Sequence, residues 1–189
     1  MTFSTLVIDP PWPYADRLMS GVRRTRGAAN HYDVMSFEAL RALRPQDVAA
    51  PDAHCYCWTT NAFMGEALEL LSGWEFTQKT ILTWVKPQIG MGWYFRNNTE
   101  HVLFGVRGKL PTRHKDQPTA FTARRTGHST KPEAFYQIVE RMSPGPYLEL
   151  FARAERPGWV AIGDEVNNGR RIDDVLQDLV RLPSWPVSA

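Results

Sequence analysis

The sequence has few cysteines and no long apolar run, and each shortage excludes a class of protein. Cys55 and Cys57 are the only cysteines among 189 residues, and on one strand they point to the same face, where neighbours do not normally bridge. We therefore expect a reduced, cytoplasmic protein. No His/Cys cluster has zinc spacing, so we expect no metal site. We also expect neither a signal peptide nor a membrane span.

Glycine-rich phosphate loops are missing as well. Neither Gly-x-Gly-x-x-Gly nor Gly-x-x-x-x-Gly-Lys occurs, which disfavours a nicotinamide dehydrogenase and a P-loop enzyme. The net charge of only +2 excludes a strongly basic nucleic-acid coat protein. Basic residues nevertheless cluster in two patches that we predict to bind the phosphates of a nucleic acid. The alternative is that both patches are ordinary solvated loops. The patch residues expected to contact substrate are Arg23, Arg24, Arg26, Lys115, Arg124 and Arg125.

Strand and helix patterns alternate along the chain. Apolar and β-branched runs predict strands at residues 3–8, 54–59, 80–85, 100–106, 147–151 and 159–162. Helical spacing predicts helices at residues 37–43, 61–72, about 130–142 and from 170 onwards. Ser36 and Asn61 suit helix N-caps, and Gly73 suits a helix end. The alternation predicts one α/β domain over residues 1–189, with a mostly parallel sheet flanked by helices.

The tetrapeptide Asp9-Pro10-Pro11-Trp12, which we call the acid-proline loop, directly follows the first predicted strand. In open α/β folds, ligands bind outside the carboxyl ends of the strands, so this loop is a candidate active site. The carboxylate of Asp9 and the carbonyl of Pro10 can each accept a hydrogen bond from the amine of adenine, whose nitrogen becomes positive during alkylation. Prolines hold these acceptors in place, and Trp12 offers a face for stacking a base. A proline turn followed by a core tryptophan is the alternative.

A second set of charged residues follows later strands and suits a nucleotide-like cofactor. Lys131 stands at a helix start, where an ammonium and free backbone amides can meet a carboxylate. Arg153 follows one predicted strand, and Asp164 and Glu165 follow the next, where an acid commonly holds ribose hydroxyls. Each residue alone has an ordinary explanation as a surface charge or a cap. Together with the acid-proline loop, they predict one binding site at one edge of one sheet.

With these residues in place, the chain resembles the MT-A family of N6-adenine methyltransferases, relatives of the catalytic subunit that methylates adenosine in messenger RNA. The resemblance covers most of the chain. Its motifs are Asp9-Pro10-Pro11-Trp12, His31 to Ser36, Trp84-Val85-Lys86, Glu100 to Gly108, Ser129 to Pro132, Glu140 to Gly145, Glu149 to Arg153 and Trp159 to Glu165. The family implies a Rossmann-like fold that depends on S-adenosylmethionine, permuted so that the catalytic loop precedes the cofactor-binding strand.

The resemblance also implies roles for individual residues. The catalytic set is Asp9, Pro10, Pro11 and Trp12, in which Asp9 and Pro10 hold the target amine and Trp12 shapes the base pocket. Tyr32 belongs to a loop that closes on the substrate. The cofactor-binding set is Asp9, Lys131, Phe151, Arg153, Asp164 and Glu165, supported by Glu149. The chain departs from eukaryotic relatives after Arg153, where it lacks their His-Asn pair, and at Asp164-Glu165, which replaces a more neutral pair.

The sequence therefore predicts an enzyme that moves the methyl group of S-adenosylmethionine to the N6 amine of adenine in a nucleic acid. Transfer would be direct and in line, without a covalent enzyme intermediate. By family analogy, a compact, single-domain member without RNA-binding additions resembles a bacterial or phage-encoded protein, so we expect DNA rather than RNA as the substrate. The alternatives are an RNA adenosine methyltransferase and a catalytically silent nucleic-acid-binding subunit. For the assembly, the sequence allows either a homodimer or a complex with a partner subunit.

Overall fold

The fold is built on one mixed sheet, seen in a computed structural model that describes residues 1–13, 34–90, 94–125, 130–163, 165–166 and 172–181. Within these residues the strands are β1 (Phe3–Ile8), β2 (Ala49–Thr59), β3 (Thr77–Val85), β4 (Thr99–Arg107), β5 (Ala120–Thr122), β6 (Tyr147–Leu150) and β7 (Trp159–Ile162). They form a seven-stranded sheet in the order β5-β3-β4-β2-β1-β6-β7. The described helices are α1 (Phe37–Ala42), α2 (Met64–Gly73), α3 (Glu133–Met142) and α4 (Ile172–Arg181).

Strand directions bring most strand ends to one edge of this sheet. β1 runs parallel to β2 and β6, β6 to β7, and β3 to β5. β4 alone is antiparallel, to both β2 and β3, so β4 begins where the other strands end. We call this edge the carboxyl edge. The arrangement confirms the predicted α/β fold with a mostly parallel sheet flanked by helices.

Alternation along β1 divides the core between the two faces of the sheet. Leu6 and Ile8 join the buried cluster that also contains residues of α1, α2 and α4, whereas Val7 joins the cluster that contains Phe135 of α3. Successive side chains of a strand point to opposite faces, so one central strand serves both cores. Each fully buried large side chain contributes about 1.5–3 kcal/mol of transfer free energy. The burial therefore fixes β1, and with it the start of the acid-proline loop.

One of the predicted helix ends is wrong. Asn61 opens a 3-10 turn (Asn61–Phe63) before α2, and its Oδ1 lies 2.7 Å from Nε2 of His101 instead of capping the helix. A tertiary contact therefore decided the start of α2. Gly73 is confirmed as the end of the helix, since it is the last residue of α2, although the residue with left-handed φ is Glu75, at 66°. The cap at Ser36 is confirmed, since its hydroxyl accepts from the backbone N–H of Ala39 at 3.2 Å.

One strand was not predicted. β5 lies in the segment 108–127, which is polar, basic and lacks a strand pattern in the sequence. It pairs with the edge of β3, and Nε1 of Trp84 donates to the carbonyl of Ala123 at 2.8 Å just beyond its end. A three-residue strand carries too little periodicity to be seen in the sequence. In the described part of the chain, no helix is long and apolar enough to cross a membrane.

Candidate active site

The acid-proline loop lies at the carboxyl edge, as its position after β1 predicts. The backbone N–H of Asp9 donates to the carbonyl of Leu150 at 3.3 Å, which ties the loop to the end of β6. The carbonyl of Pro10 accepts from the N–H of Trp12 at 2.9 Å, so the chain turns tightly here. Because proline fixes φ, the Asp9 side chain and the Pro10 carbonyl keep a set direction.

Trp12 is a wall of the site rather than an open platform. Only 4% of the residue is exposed, and its ring stacks on Phe63 with centroids 5.2 Å apart and planes 11° from parallel. Its Nε1 donates to the carbonyl of Trp58 at 3.2 Å. The ring therefore does not offer the free stacking face expected of it, because the core already uses that face. Trp12 anchors the end of the loop to β2.

A chain of alternating charges extends from Asp9 along the carboxyl edge. Nζ of Lys131 lies 3.0 Å from Oδ1 of Asp9 and 3.2 Å from Oε2 of Glu100. Nζ of Lys86 forms an ion pair with Oε1 of the same Glu100. We call these four residues the charge cluster. Their side chains are only 11–20% exposed, so each charge depends on its neighbours rather than on water.

Two tryptophans pack against the ammonium groups of the charge cluster. Nζ of Lys131 lies 4.5 Å from the ring centroid of Trp58, and Nζ of Lys86 lies 4.7 Å from that of Trp84. The two indoles meet edge to face, with centroids 6.1 Å apart. Cation–π contacts of this kind are worth about 0.5–2 kcal/mol each. The rings thus exclude water from one side of both lysines and hold their heads toward the carboxylates.

Within the cluster, the pKa shifts of Glu100 and Lys131 favour their ionised forms, whereas the pKa of Asp9 is raised. Burial raises the pKa of Asp9 above its ordinary value, and the ammonium of Lys131 limits that rise. Burial also acts to raise the pKa of Glu100, but Lys131 and Lys86 outweigh it and hold this pKa low. Burial acts to lower the pKa of Lys131, yet the carboxylates of Asp9 and Glu100 raise it overall. Lys131 is therefore the group that most strongly stabilises the buried carboxylate of Asp9.

Glu149 is a second buried carboxyl group at this edge. It is the third residue of β6, and its Oε1 accepts from the hydroxyl of Tyr136 at 2.7 Å. Burial raises the pKa of Glu149 to about 7; the Tyr136 hydrogen bond acts to lower it, and the charge of Asp9 acts to raise it. Glu149 thus changes charge near neutral pH, which suits a group that responds to a cationic ligand.

The ends of β6 and β7 approach each other closely. A Cβ on Gly163 would lie 2.0 Å from the carbonyl oxygen of Ala152, so a side chain there is excluded. Phe151 has a left-handed φ of 63°, which turns the chain sharply after β6. Nη1 of Arg153 then lies 4.0 Å from Oε1 of Glu165. The structure therefore gathers Phe151, Arg153 and Glu165 at the carboxyl edge, as the sequence predicts.

The predicted phosphate-binding residues are only partly described. Lys115, Arg124 and Arg125 are exposed, and the last two directly follow β5 at the carboxyl edge, on the side of Lys86. The remaining predicted residues, Arg23, Arg24, Arg26, Tyr32 and Asp164, lie outside the described residues.

Glu100 and Lys86 were not predicted as site residues. Both belong to motifs of the resemblance, yet neither was given a role. They meet because β3 and β4 are antiparallel and Trp84 pairs with Glu100, which puts the end of one strand beside the start of the other. A signal was present in the sequence, since each charge borders an apolar run that predicts a strand. The pairing itself depends on sheet order and was not visible.

Comparisons with known proteins match most of the chain to one family. The MT-A70 family model matches residues 3–165, which include all the described strands. Type II methyltransferase M.MunI of Mycoplasma sp is 28% identical over 185 residues, with 89% of this chain and 79% of that protein covered. Probable N(6)-adenosine-methyltransferase MT-A70-like of Oryza sativa subsp. japonica is 26% identical, with 93% and 24% covered. Human N(6)-adenine-specific methyltransferase METTL4 is 29% identical, with 91% and 39% covered, so the chain spans less than half of these two relatives.

We expect Lys131→Met to destabilise the protein, because it leaves Asp9 and Glu100 buried without their shared ammonium. Removing one partner of a buried ion pair typically costs about 3–5 kcal/mol in the free energy of unfolding. Chemical denaturation at pH 7 measures this loss. The deficit should shrink as the pH falls, since protonation of Asp9 then removes an unpaired charge. Lys109→Met, at an exposed lysine, is the matched control, and equal effects of the two substitutions would contradict the assignment.

Proposed function

Because the chain belongs to the MT-A70 family, we propose that it transfers the methyl group of S-adenosylmethionine to the N6 amine of adenine in a nucleic acid. The observation that carries the proposal is the ion pair of Asp9 with Lys131 at the carboxyl edge. It stabilises a carboxylate in a buried position, next to a backbone carbonyl with a fixed direction. DNA is the proposed polymer, because the chain matches M.MunI over most of that protein's length but the rice adenosine methyltransferase over 24% of its length.

Asp9 and Pro10 are the proposed acceptors for the two hydrogens of the target amine. Lys131 engages Oδ1 of Asp9, and we assign Oδ2 to the amine. The Pro10 carbonyl accepts from the N–H of Trp12, and its second lone pair can accept from the amine. Acceptors that are already in place stabilise the positive charge that develops on nitrogen, and their effect is greatest in a dry site. Two acceptors also fix the direction in which the nitrogen lone pair points.

The residues at the carboxyl edge fit a cofactor that carries positive charge. Asp9 and Glu149 are buried carboxyl groups with raised pKa values, and both are stabilised as carboxylates by a nearby cation. The ammonium of Lys131 has three donors, of which Asp9 and Glu100 use two, so one is available to a carboxylate of the ligand. When bound, S-adenosylmethionine supplies an electrophilic methyl group on a positively charged sulfur.

The proposed cofactor contacts come from three segments of the chain. Lys131 precedes α3, Phe151 and Arg153 follow β6, and Asp164 and Glu165 follow β7. Glu149 supports them from within β6 through its hydrogen bond with Tyr136. The close approach at Gly163 holds the second and third segments together. We also propose a cytoplasmic location, which suits the two free, buried thiols of Cys55 and Cys57.

Asp9→Ala should abolish methyl transfer while largely sparing cofactor binding, because Lys131, Glu149 and Arg153 keep the other proposed cofactor contacts. Loss of one preorganised electrostatic partner typically lowers kcat by roughly 10²–10³-fold. Transfer of labelled methyl groups to adenine-containing DNA and RNA oligonucleotides measures activity, and calorimetry measures the Kd of S-adenosylmethionine. Asp174→Ala, at an exposed acid of α4, is the matched control. A fully active Asp9→Ala would refute the role of Asp9. If the wild-type protein neither bound the cofactor nor transferred methyl groups, the proposal of an enzyme would be refuted. A catalytically silent subunit would then be the remaining interpretation.

Affinity for S-adenosylmethionine should fall as the pH drops through about 7. Below the pKa of Glu149, which is about 7, the neutral carboxyl group no longer attracts a cationic ligand. Linkage limits the effect of this single group to about tenfold between pH 8 and pH 6. Calorimetric titrations across this range measure it, and Glu149→Gln should flatten the dependence. An unchanged slope in that variant would show that another group is responsible.

A further inference from the structure

The loop between β3 and β4 carries the most exposed large apolar side chains of the described residues. Tyr94 is 97% exposed, Phe95 is 85% exposed and Ile89 is 72% exposed, whereas the other large apolar residues on the surface are about half exposed or less. We call its described residues, 87–90 and 94–98, the aromatic loop. Water contact with so much apolar surface is unfavourable, at about 25 cal/mol per Å² relative to burial. Clustered exposure of this kind marks a surface that meets a binding partner.

The aromatic loop stands at the rim of the candidate active site. Its base is closed by hydrogen bonds from the N–H of Lys86 to the carbonyl of Asn98, at 2.7 Å, and from the N–H of Gly90 to the carbonyl of Asn97, at 2.8 Å. A Cβ at Gly90 would lie 2.4 Å from that Asn97 oxygen, so the closure requires glycine. Lys86 at the base is itself a member of the charge cluster that ends at Asp9. The loop base is therefore joined to the catalytic carboxylate through two residues.

The charge of the aromatic loop fits a polyanion. Residues 87–98 contain one charged residue, Arg96, and no acid. The exposed Arg124 and Arg125 follow β5, which pairs with β3 and ends at the same edge. Proteins commonly bind unpaired nucleotides with aromatic rings beside positively charged side chains. The rings stack on the faces of the bases, and the cations contact the phosphates that link the nucleotides. Protein–protein interfaces are also rich in aromatic residues, but a protein partner would not require that acidic residues be absent from this loop.

We propose that Tyr94 and Phe95 stack on nucleotides that flank the target adenine and that Arg96 contacts a neighbouring phosphate. This inference rests on the proposed function, because it assigns the aromatic loop to binding the nucleic acid whose adenine is methylated at the same site. Stacking on flanking bases requires that they be unpaired or displaced from a duplex. The loop therefore contributes to polymer binding and not to the chemistry at the amine. Its loss should raise the KM for the oligonucleotide while leaving the Kd of S-adenosylmethionine unchanged.

Paired variants of the loop test the proposal. Tyr94→Ala combined with Phe95→Ala removes both rings, whereas Tyr94→Phe combined with Phe95→Tyr keeps both. Ile89→Ala removes exposed apolar surface without removing a ring, and Val180→Ala on α4 does so far from the loop. Fluorescence anisotropy with a single-stranded, adenine-containing DNA oligonucleotide at one fixed salt concentration gives the Kd of each variant. The cofactor Kd and the thermal midpoint of each variant confirm that its fold is intact.

Removal of a stacking ring should weaken oligonucleotide binding by about fivefold to one hundredfold. The ring-keeping pair, Ile89→Ala and Val180→Ala should stay within about threefold of the wild type. Unchanged affinity after loss of both rings overturns the inference. So does a wild-type dimer in sedimentation experiments that the double alanine variant converts to a monomer, because the loop is then an interface between copies. If the wild type methylates adenine and the double variant does so with the same KM, only this inference fails; if the wild type neither binds nor methylates, the proposed function fails with it.

Discussion

The ion pair of Asp9 with Lys131 is the constraint on which the site depends. It joins the loop after the first strand to the segment before α3, two parts of the chain separated by more than a hundred residues. A buried carboxylate without a partner becomes neutral or destabilises the fold. Glu100 and Lys86 continue the alternation of charge, so the cluster is balanced. The acid that we assign to the amine is thus stabilised as a carboxylate by residues that need not touch the amine.

Sheet topology makes this cluster possible. The single antiparallel strand, β4, starts where its neighbours end, which delivers Glu100 to the carboxyl edge. β1 lies between β2 and β6, so the acid-proline loop is flanked by Trp58 on one side and by the end of β6 on the other. Both faces of β1 are covered by core, which leaves its end as the part that ligands can reach. Position in the sheet therefore explains why a short loop carries the proposed chemistry.

Much of the framework was predictable, and the exceptions share a physical cause. The apolar runs placed β1 and β7 with correct bounds, and the acid-proline loop and Lys131 were expected at one edge. These features depend on local pattern and on the general rule for strand ends. The partnership of Glu100 with Lys86, the burial of the Trp12 ring against Phe63 and the side-chain contact of Asn61 with His101 depend on which segments meet in space. Propensity in one sequence does not encode those encounters, since tertiary packing overrides it.

The central claim is that Asp9 and Pro10 hold the adenine amine while Lys131 holds Asp9. A crystal structure with an adenosine whose N6 is linked covalently to a cofactor analogue tests it most directly. The account predicts N6 within about 2.7–3.2 Å of Oδ2 of Asp9 or of the Pro10 carbonyl, with Lys131 still bonded to Oδ1. An adenine bound away from the acid-proline loop, or an Asp9 carboxylate turned away from N6 with Lys131 released, would contradict it.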